Sequence, residues 1–191
     1  MTTENCNTTG DGAGGDIREA LGDRYYAAPY NRDAAGFYFS DYQDYEEKAA
    51  VLLDRFGNPV EEFEFEIIDA SSETCALFNE CGVDQATLEL WFDEVIDLSG
   101  DEKAALYFLV SDHGYPMCSA LDKVDEVSLY QGCLTDAAEA LFDECYANSI
   151  PDDLKVYIDY AKFARDCEAS GEMCEFDFAG RTYSCTNPGG L

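Results

Sequence analysis

The sequence is poor in the residues from which most active sites are built. It contains one histidine and one tryptophan, and 11 lysines and arginines stand against 41 aspartates and glutamates. Ser111, Asp112 and His113 are contiguous, and adjacent residues of a helix point in different directions, so they cannot form a local catalytic triad. A single histidine also excludes a zinc site built mainly from imidazole. We therefore expect a protein that is not an enzyme and that uses no cofactor.

Long apolar segments are missing as well. No run approaches the roughly eighteen residues that a membrane-spanning helix needs. The first ten residues have neither the basic stretch nor the apolar stretch of a secretion signal. An anionic lipid surface would repel so acidic a chain. These absences predict a cytoplasmic protein without membrane contact.

Metal-binding and disulfide patterns are also absent. The nine cysteines are an odd number, no two of them form a CxxC pair, and the spacing of Cys75 and Cys81 does not match zinc ligands. The EF-hand and P-loop patterns do not occur either. We expect reduced thiols that pack as small apolar side chains, and no bound metal.

What the sequence has in excess is negative charge. The formal net charge is -30 over 191 residues, yet 47% of the residues are hydrophobic and 14% are aromatic. Disordered acidic segments are poor in such residues, so this composition predicts a folded body. Solubility needs only a handful of net charges. A fold that holds so many carboxylates together against their repulsion indicates that the charge itself has a function.

The order of sequence patterns predicts an α+β protein in several parts. Residues 1–22 are rich in threonine, asparagine, glycine and aspartate and are interpreted as a flexible leader. Residues 23–70 predict a small α+β domain and residues 71–118 a helical domain. Residues 119–191 predict a second α+β domain.

The first of these domains has the clearest local patterns. Residues 25–28 and 37–39 predict two strands, and residues 62–67 predict a strand with period two. Residues 44–56 predict a helix that ends before a glycine. This helix is expected to bury Leu52, Leu53 and Phe56.

Helical spacing dominates the rest of the chain. Apolar residues recur at helical intervals over residues 84–98, and Ser99 and Glu102 form a capping box for the next helix. Two further helices are expected over residues 136–146 and 149–161. A closing hairpin is predicted from strands at residues 173–178 and 181–185.

The acidic side chains recur at spacings that bring them into line. Glu62, Glu64 and Glu66 alternate with phenylalanines, so on a strand all three point to one face, about 6.7 Å apart. Acids three or four residues apart on a helix lie about 5–6 Å apart. Successive phosphates of one DNA strand are about 3.4 Å apart along the helix axis and also wind around it. The distance between neighbouring phosphates is therefore of the same order as these distances between carboxylates. The candidate partner-binding surface comprises Asp44, Glu46, Glu47, Glu62, Glu64, Glu66, Glu89, Asp93, Glu94, Asp97, Asp101, Glu102, Asp125, Glu126, Asp136, Glu139, Asp143, Glu144, Asp152 and Asp153.

Charge density sets a condition on the shape of the molecule. A net charge of -30 corresponds to roughly 50 Å of duplex DNA. Spread evenly over the roughly 9,000 Å² of a compact protein of this mass, the charge would be about threefold more dilute than on a duplex. The acids can match DNA only if the molecule is elongated or if they crowd one side. Residues 56–102 and 124–154 contain no lysine or arginine, which favours crowding.

Three segments resemble the ArdA family of antirestriction proteins. Residues 156–166, VYIDYAKFARD, are similar to a helix near the end of these proteins, where an aliphatic-aromatic-Asp-Tyr run leads into an aromatic residue and an Arg-Asp pair. Residues 25–38 are similar to the family's opening strand, turn and second strand. Residues 61–69 lie where the family has an acidic strand that ends in Asp. The resemblance covers roughly residues 24–185.

The resemblance implies both a shape and a function. The shape is an elongated, curved chain of three small domains, usually paired into a homodimer. The function is that of a DNA mimic, which binds no nucleic acid itself but occupies the DNA channel of type I restriction-modification enzymes and so protects mobile DNA entering a host. The sequence departs from the family after the acidic strand. The family commonly has an acid-aromatic turn that contains proline, whereas here Ala70, Ser71 and Ser72 follow Asp69. The Gly-rich leader and the cysteines are also unusual for the family.

The excess of acids is open to two alternative interpretations. The acidic surface could be directed at a different DNA-binding protein, such as a nucleoid protein or a CRISPR nuclease. Alternatively, the chain is an ordinary salt-adapted protein, since a halophile's proteome can be acidic and poor in lysine. Nine cysteines and many large aromatic residues fit salt adaptation less well.

Overall fold

A three-stranded antiparallel sheet opens the fold in the computed structural model, which describes residues 22–191. The predicted leader therefore lies outside the described residues, apart from Gly22. The sheet has the order β2-β1-β3, with β1 at Arg24–Pro29, β2 at Phe37–Phe39 and β3 at Phe63–Asp69. Alternate side chains of these strands, including Tyr25, are buried. The strands predicted in this region are confirmed.

The helix that follows β2 is shorter than predicted. Helix α1 covers Tyr42–Ala49, whereas the sequence pattern predicted a helix over residues 44–56. The Asp54 carboxylate accepts hydrogen bonds from the backbone N–H groups of Phe56 and Asn58, both at 2.9 Å, and closes a turn instead. Such side-chain bonds to the backbone compete with helix formation. The expected burial was also wrong: Leu53 is 53% exposed, Phe56 is 67% exposed and Leu52 is only partly buried.

The middle of the chain is helical, as predicted. Ser99 and Glu102 form the expected capping box, in which the Ser99 N–H donates to Glu102 Oε2 at 2.7 Å and the Glu102 N–H donates to Ser99 Oγ at 3.3 Å. A helical turn with π-type hydrogen bonding, Trp91–Val95, follows α3 directly. The helices are α2 at Ser72–Cys81, α3 at Leu88–Leu90, α4 at Gly100–Ser111 and α5 at Met117–Leu121.

A second antiparallel sheet and three further helices complete the described part. The sheet has the order β4-β6-β5, and β5 and β6 form the predicted hairpin. Its turn places Ala179 and Gly180 at φ 51 and φ 79, as a two-residue hairpin turn of type I′ requires. Strand β4 was not predicted. The elements are β4 at Leu129–Gln131, α6 at Leu134–Cys145, α7 at Asp152–Lys155, α8 at Tyr160–Ser170, β5 at Cys174–Phe178 and β6 at Arg181–Cys185.

The single helix predicted over residues 149–161 is two helices. The Asp159 carboxylate accepts a hydrogen bond from the Lys162 N–H at 2.9 Å and caps α8. An N-cap residue has non-helical backbone angles, so a cap at this position separates α7 from α8. Tyr157 lies in the break and is 81% exposed, rather than continuing an apolar stripe.

The buried side chains form two clusters. The larger contains Tyr25, Trp91 and Leu106, and it also includes Phe178 and Tyr183 of the second sheet. The smaller lies between α6 and α8. Together the two sheets and the eight helices of residues 22–191 confirm the mixed α+β class. The elongated arrangement of three domains stays a prediction.

No helix within residues 22–191 combines the length and the apolar character needed to cross a bilayer. The eight cysteines of this part of the chain are free thiols.

Candidate interaction surface

A ladder of three glutamates lies on the outer face of the first sheet. Glu62 precedes β3, and Glu64 and Glu66 lie within it; all three are exposed, while Phe63 and Phe65 between them are buried. Glu64 is paired with Ala28 of β1, and Glu66 with Tyr26. Successive strand side chains point to opposite faces, so burial of the phenylalanines directs the carboxylates to solvent. The three carboxylates face solvent, and their role in binding a partner stays a prediction.

Tyrosines extend the outer face beside the ladder. The rings of Tyr26 and Tyr38 lie with their centroids 5.0 Å apart, and Arg24 places its guanidinium carbon 4.9 Å from the centre of the Tyr38 ring. A Cβ atom on Gly36 would lie 2.4 Å from both the Tyr26 hydroxyl and the Ala27 carbonyl oxygen. The tyrosine pair therefore requires glycine at this position. No sequence pattern indicated that these aromatic residues belong to the surface.

Most of the other candidate acids are also exposed. Eighteen of the twenty lie on the surface, and Asp44 and Glu102 are partly buried. Glu102 belongs to the capping box, and the hydrogen bonds from Ser99 lower the pKa of its carboxyl. Glu89, Asp93, Glu94 and Asp97 of the segment around Trp91 are exposed, and none forms an ion pair within residues 22–191.

Three candidate acids are paired with lysines close in sequence. Lys48 contacts Asp44 at 2.8 Å and Lys123 contacts Glu126 at 3.1 Å. Lys155 contacts Asp152 at 2.9 Å, and its hydrogen bond and charge lower the pKa of that carboxyl. Exposed pairs of this kind contribute little to stability. They do neutralise charge locally, so these three positions contribute less to an anionic surface than the sequence suggested.

Acids of the remaining elements face solvent and form no ion pair with a lysine or arginine of residues 22–191. Asp143 accepts a hydrogen bond from the Tyr160 hydroxyl at 3.4 Å. The others in this group are Glu46, Glu47, Asp101, Asp125, Asp136, Glu139, Glu144 and Asp153. That these acids form one continuous negatively charged surface stays a prediction.

An open cleft lies between the start of α1 and the turn at Trp91–Val95. Its volume is about 550 Å³. It was not predicted, because its walls come from three separate segments of the chain. The lining residues include Asp23, Asp41 and Asp93 together with Tyr25, Tyr42 and Phe92.

The carboxyl group of Asp23, in the wall of the cleft, has a raised pKa. Burial raises its pKa; the charge of Lys103 acts in the opposite direction, and the charge of Asp69 adds to the increase. A carboxyl whose pKa is higher in the folded than in the unfolded state binds protons more readily when folded. Ionised Asp23 therefore lowers the stability of the fold at neutral pH, and this effect disappears as the pH falls.

We expect Asp23→Asn to raise the melting temperature at pH 7, because it removes a partly desolvated charge. The difference from the wild type should shrink as the pH is lowered towards about 4, where the unfolded carboxyl also becomes protonated. Thermal unfolding followed by circular dichroism at several pH values measures this difference. Asp122→Asn, at an exposed position, controls for loss of one negative charge. A difference for Asp23→Asn that is the same at every pH would contradict the proposed role of its burial.

The described residues contain no group of three or more histidine, cysteine, aspartate and glutamate side chains arranged to hold a metal ion. Ser111 donates its hydroxyl to Asp112 at 2.8 Å. The ring of His113 lies with its centroid 5.1 Å from that of Phe108. This segment therefore lacks the hydrogen-bonded chain of a catalytic triad, in which the histidine joins the serine to the acid.

Fold and surface together define a strongly acidic α+β protein that presents carboxylates on rigid secondary structure. Residues 18–179 match the family model described as antirestriction protein (ArdA). The match covers most of the chain, so the chain belongs to the ArdA antirestriction family, and the resemblance seen in the sequence is confirmed. No curated protein and no solved structure matches the chain.

Proposed function

We propose that this chain is a DNA mimic that occupies the DNA-binding channel of a type I restriction-modification enzyme. The observation that carries the proposal is the ladder of Glu62, Glu64 and Glu66, whose carboxylates are exposed on a strand anchored by buried phenylalanines. Family membership supports an antirestriction role. The proposed inhibitor acts by binding rather than by catalysis.

The net charge supplies the driving force. A DNA-binding channel is basic, and association of a chain with a net charge of -30 with such a channel releases counterions from both surfaces. Electrostatic attraction also accelerates encounter and makes the association rate sensitive to salt. A rigid array of carboxylates has its charges in place before binding, which lowers the entropy cost of association.

The proposed inhibitor acts as a homodimer. Pairing two copies would lengthen the acidic surface, since one chain carries the charge of roughly 50 Å of duplex. Analytical ultracentrifugation of the full chain measures the oligomeric state directly. A monomer at concentrations that inhibit the enzyme would contradict this part of the proposal.

Competition with duplex DNA tests the proposed function. The full chain should displace a labelled duplex from a purified type I methyltransferase, and its own affinity should fall by about 100-fold between roughly 50 and 200 mM salt. The assay measures fluorescence anisotropy of the duplex at several salt concentrations. Inhibition without displacement of DNA, or an affinity unaffected by salt, would contradict DNA mimicry. Displacement of DNA from a nucleoid protein or CRISPR nuclease but not from the methyltransferase would identify a different target.

A further inference from the structure

The cleft beside α1 combines carboxylates with aromatic walls, and the charged ladder of β3 has no part in its lining. Asp23, Asp41 and Asp93 line it together with the rings of Tyr42 and Phe92. With a volume of about 550 Å³, it is large enough to admit the end of a long side chain and part of the backbone that carries it.

Buried core residues hold the Phe92 wall of the cleft in place. Phe92 packs edge-on against Tyr25, with ring centroids 5.0 Å apart and an interplanar angle of 74°. The hydroxyl of Tyr25 accepts a hydrogen bond from Trp91 Nε1 at 3.1 Å, and both of these residues are fully buried. Phe92 and Asp93 belong to the π-type turn at Trp91–Val95, a rare geometry found often at functional sites. A core contact therefore positions one aromatic wall and an adjacent carboxylate.

The acids of the cleft have no basic partner within the described residues. None of the three carboxylates forms an ion pair in residues 22–191. Asp41 accepts the Asp44 N–H at 2.8 Å as the N-cap of α1, and it remains an acceptor for other donors. Lys103 donates its Nζ to the carbonyl oxygen of Ile96 at 2.8 Å rather than to a carboxylate. Burial outweighs the opposing charge of Lys103 and raises the pKa of Asp23, so this carboxylate is partly desolvated.

We propose that this cleft receives an arginine side chain of the protein that the chain inhibits. A guanidinium group is planar and weakly hydrated, stacks on aromatic rings, and donates paired hydrogen bonds to carboxylates. Tyr42 and Phe92 supply the rings, and Asp23 and Asp93 supply the acceptors. Within residues 22–191 no three carboxylates are arranged to hold a metal ion, whereas the flat rings favour a planar cation. The identity of the partner rests on the proposed function, but the affinity of the cleft for guanidinium does not.

A small probe tests the cleft without any partner. L-argininamide titrated into the full chain should shift the nuclear magnetic resonance signals of the Tyr42 and Phe92 rings in a saturable manner. L-lysinamide has the same net charge and should bind at least about threefold more weakly, because its ammonium group cannot stack as a plane. Asp93→Asn and Tyr42→Leu should each weaken the argininamide affinity, whereas Asp122→Asn and Tyr157→Leu, both at exposed positions outside the cleft, serve as matched controls. Equal binding of the two probes, or equal effects of cleft and control variants, would overturn the proposal.

The DNA-competition assay supplies the second test. The double variant Asp93→Asn, Tyr42→Leu should need about tenfold more protein for half-displacement, because both a charge contact and a stacking contact are lost. The matched double variant Asp122→Asn, Tyr157→Leu should change this concentration much less, and melting temperatures verify that both fold. If the wild type competes and the cleft variant competes equally well, the cleft proposal is wrong while DNA mimicry stands. If the wild type does not displace DNA at all, the proposed function fails and the argininamide titration still decides on the cleft.

Discussion

Simultaneous replacement of Glu62, Glu64 and Glu66 by lysine is expected to weaken competition with DNA by about 100-fold or more. In the proposed complex, each substitution replaces an attraction to the basic channel with a repulsion, and like charges brought together across an interface cost several kcal/mol. The three side chains are exposed, so the fold should tolerate the change. Single changes such as Glu64→Gln should cost less than about threefold, because an array of similar charges shares the binding energy. Half-displacement concentrations in the methyltransferase assay measure both effects.

A matched triple variant distinguishes the effect of charge in the ladder from the effect of the total net charge. Asp166, Glu168 and Glu172 are exposed near the end of α8 and lie outside the candidate surface. Their joint replacement by lysine changes the net charge by the same amount. If this control weakens competition as strongly as the ladder variant, total charge rather than the ladder determines binding. If one single substitution in the ladder abolishes competition, a localised contact replaces the distributed surface.

Trp91→Ala is expected to lower the free energy of unfolding by about 3–5 kcal/mol. The indole is fully buried, and its removal leaves a cavity in the larger core cluster. The substitution also removes the hydrogen-bond donor to the Tyr25 hydroxyl and the edge-on contact with Phe78, whose ring centroid lies 5.1 Å from that of Trp91. For a protein of this length the melting temperature should fall by roughly 10 °C. Urea unfolding followed by circular dichroism gives the free energy.

Tyr25→Phe measures the hydrogen-bond part of this lost free energy, and Val156→Ala serves as an exposed control. Tyr25→Phe keeps the ring but leaves the Trp91 N–H without its acceptor, which should cost about 1–3 kcal/mol. Val156→Ala, at an exposed position, should change the free energy by less than about 0.5 kcal/mol. A loss for Trp91→Ala no larger than that for Val156→Ala would contradict the assignment of Trp91 to the core.

Local periodicity explains why parts of the fold were predictable. The strand around Glu64 alternates apolar and acidic residues, and the pairing of β3 with β1 preserves that alternation. The capping box of Ser99 and Glu102 was also visible in sequence because its partners lie three residues apart. In both cases the residues that form the recognisable pattern lie close together in the chain.

Competing side-chain bonds account for the helices that were predicted wrongly. Asp54 turns the chain after α1, and Asp159 starts a new helix within a pattern that predicted one continuous helix. Strand β4 has only three residues and is defined by its pairing with β6, and it lacks the aromatic run that made the equally short β2 predictable. The lysine partners of Asp44 and Asp152 lie four and three residues away on the same helices, and that spacing was a signal that could have identified these pairs.

The sequence by itself determined the α+β class, the outward ladder of β3 and the negative charge, because composition and short-range periodicity suffice for all three. Only the tertiary structure decided which aromatic residues stand beside Asp23 and Asp93. The residues of that cleft come from β1, the start of α1 and the turn after α3, and chain folding alone brings them together. Contacts between residues distant in sequence depend on how complete side chains pack in the core, which no local pattern records.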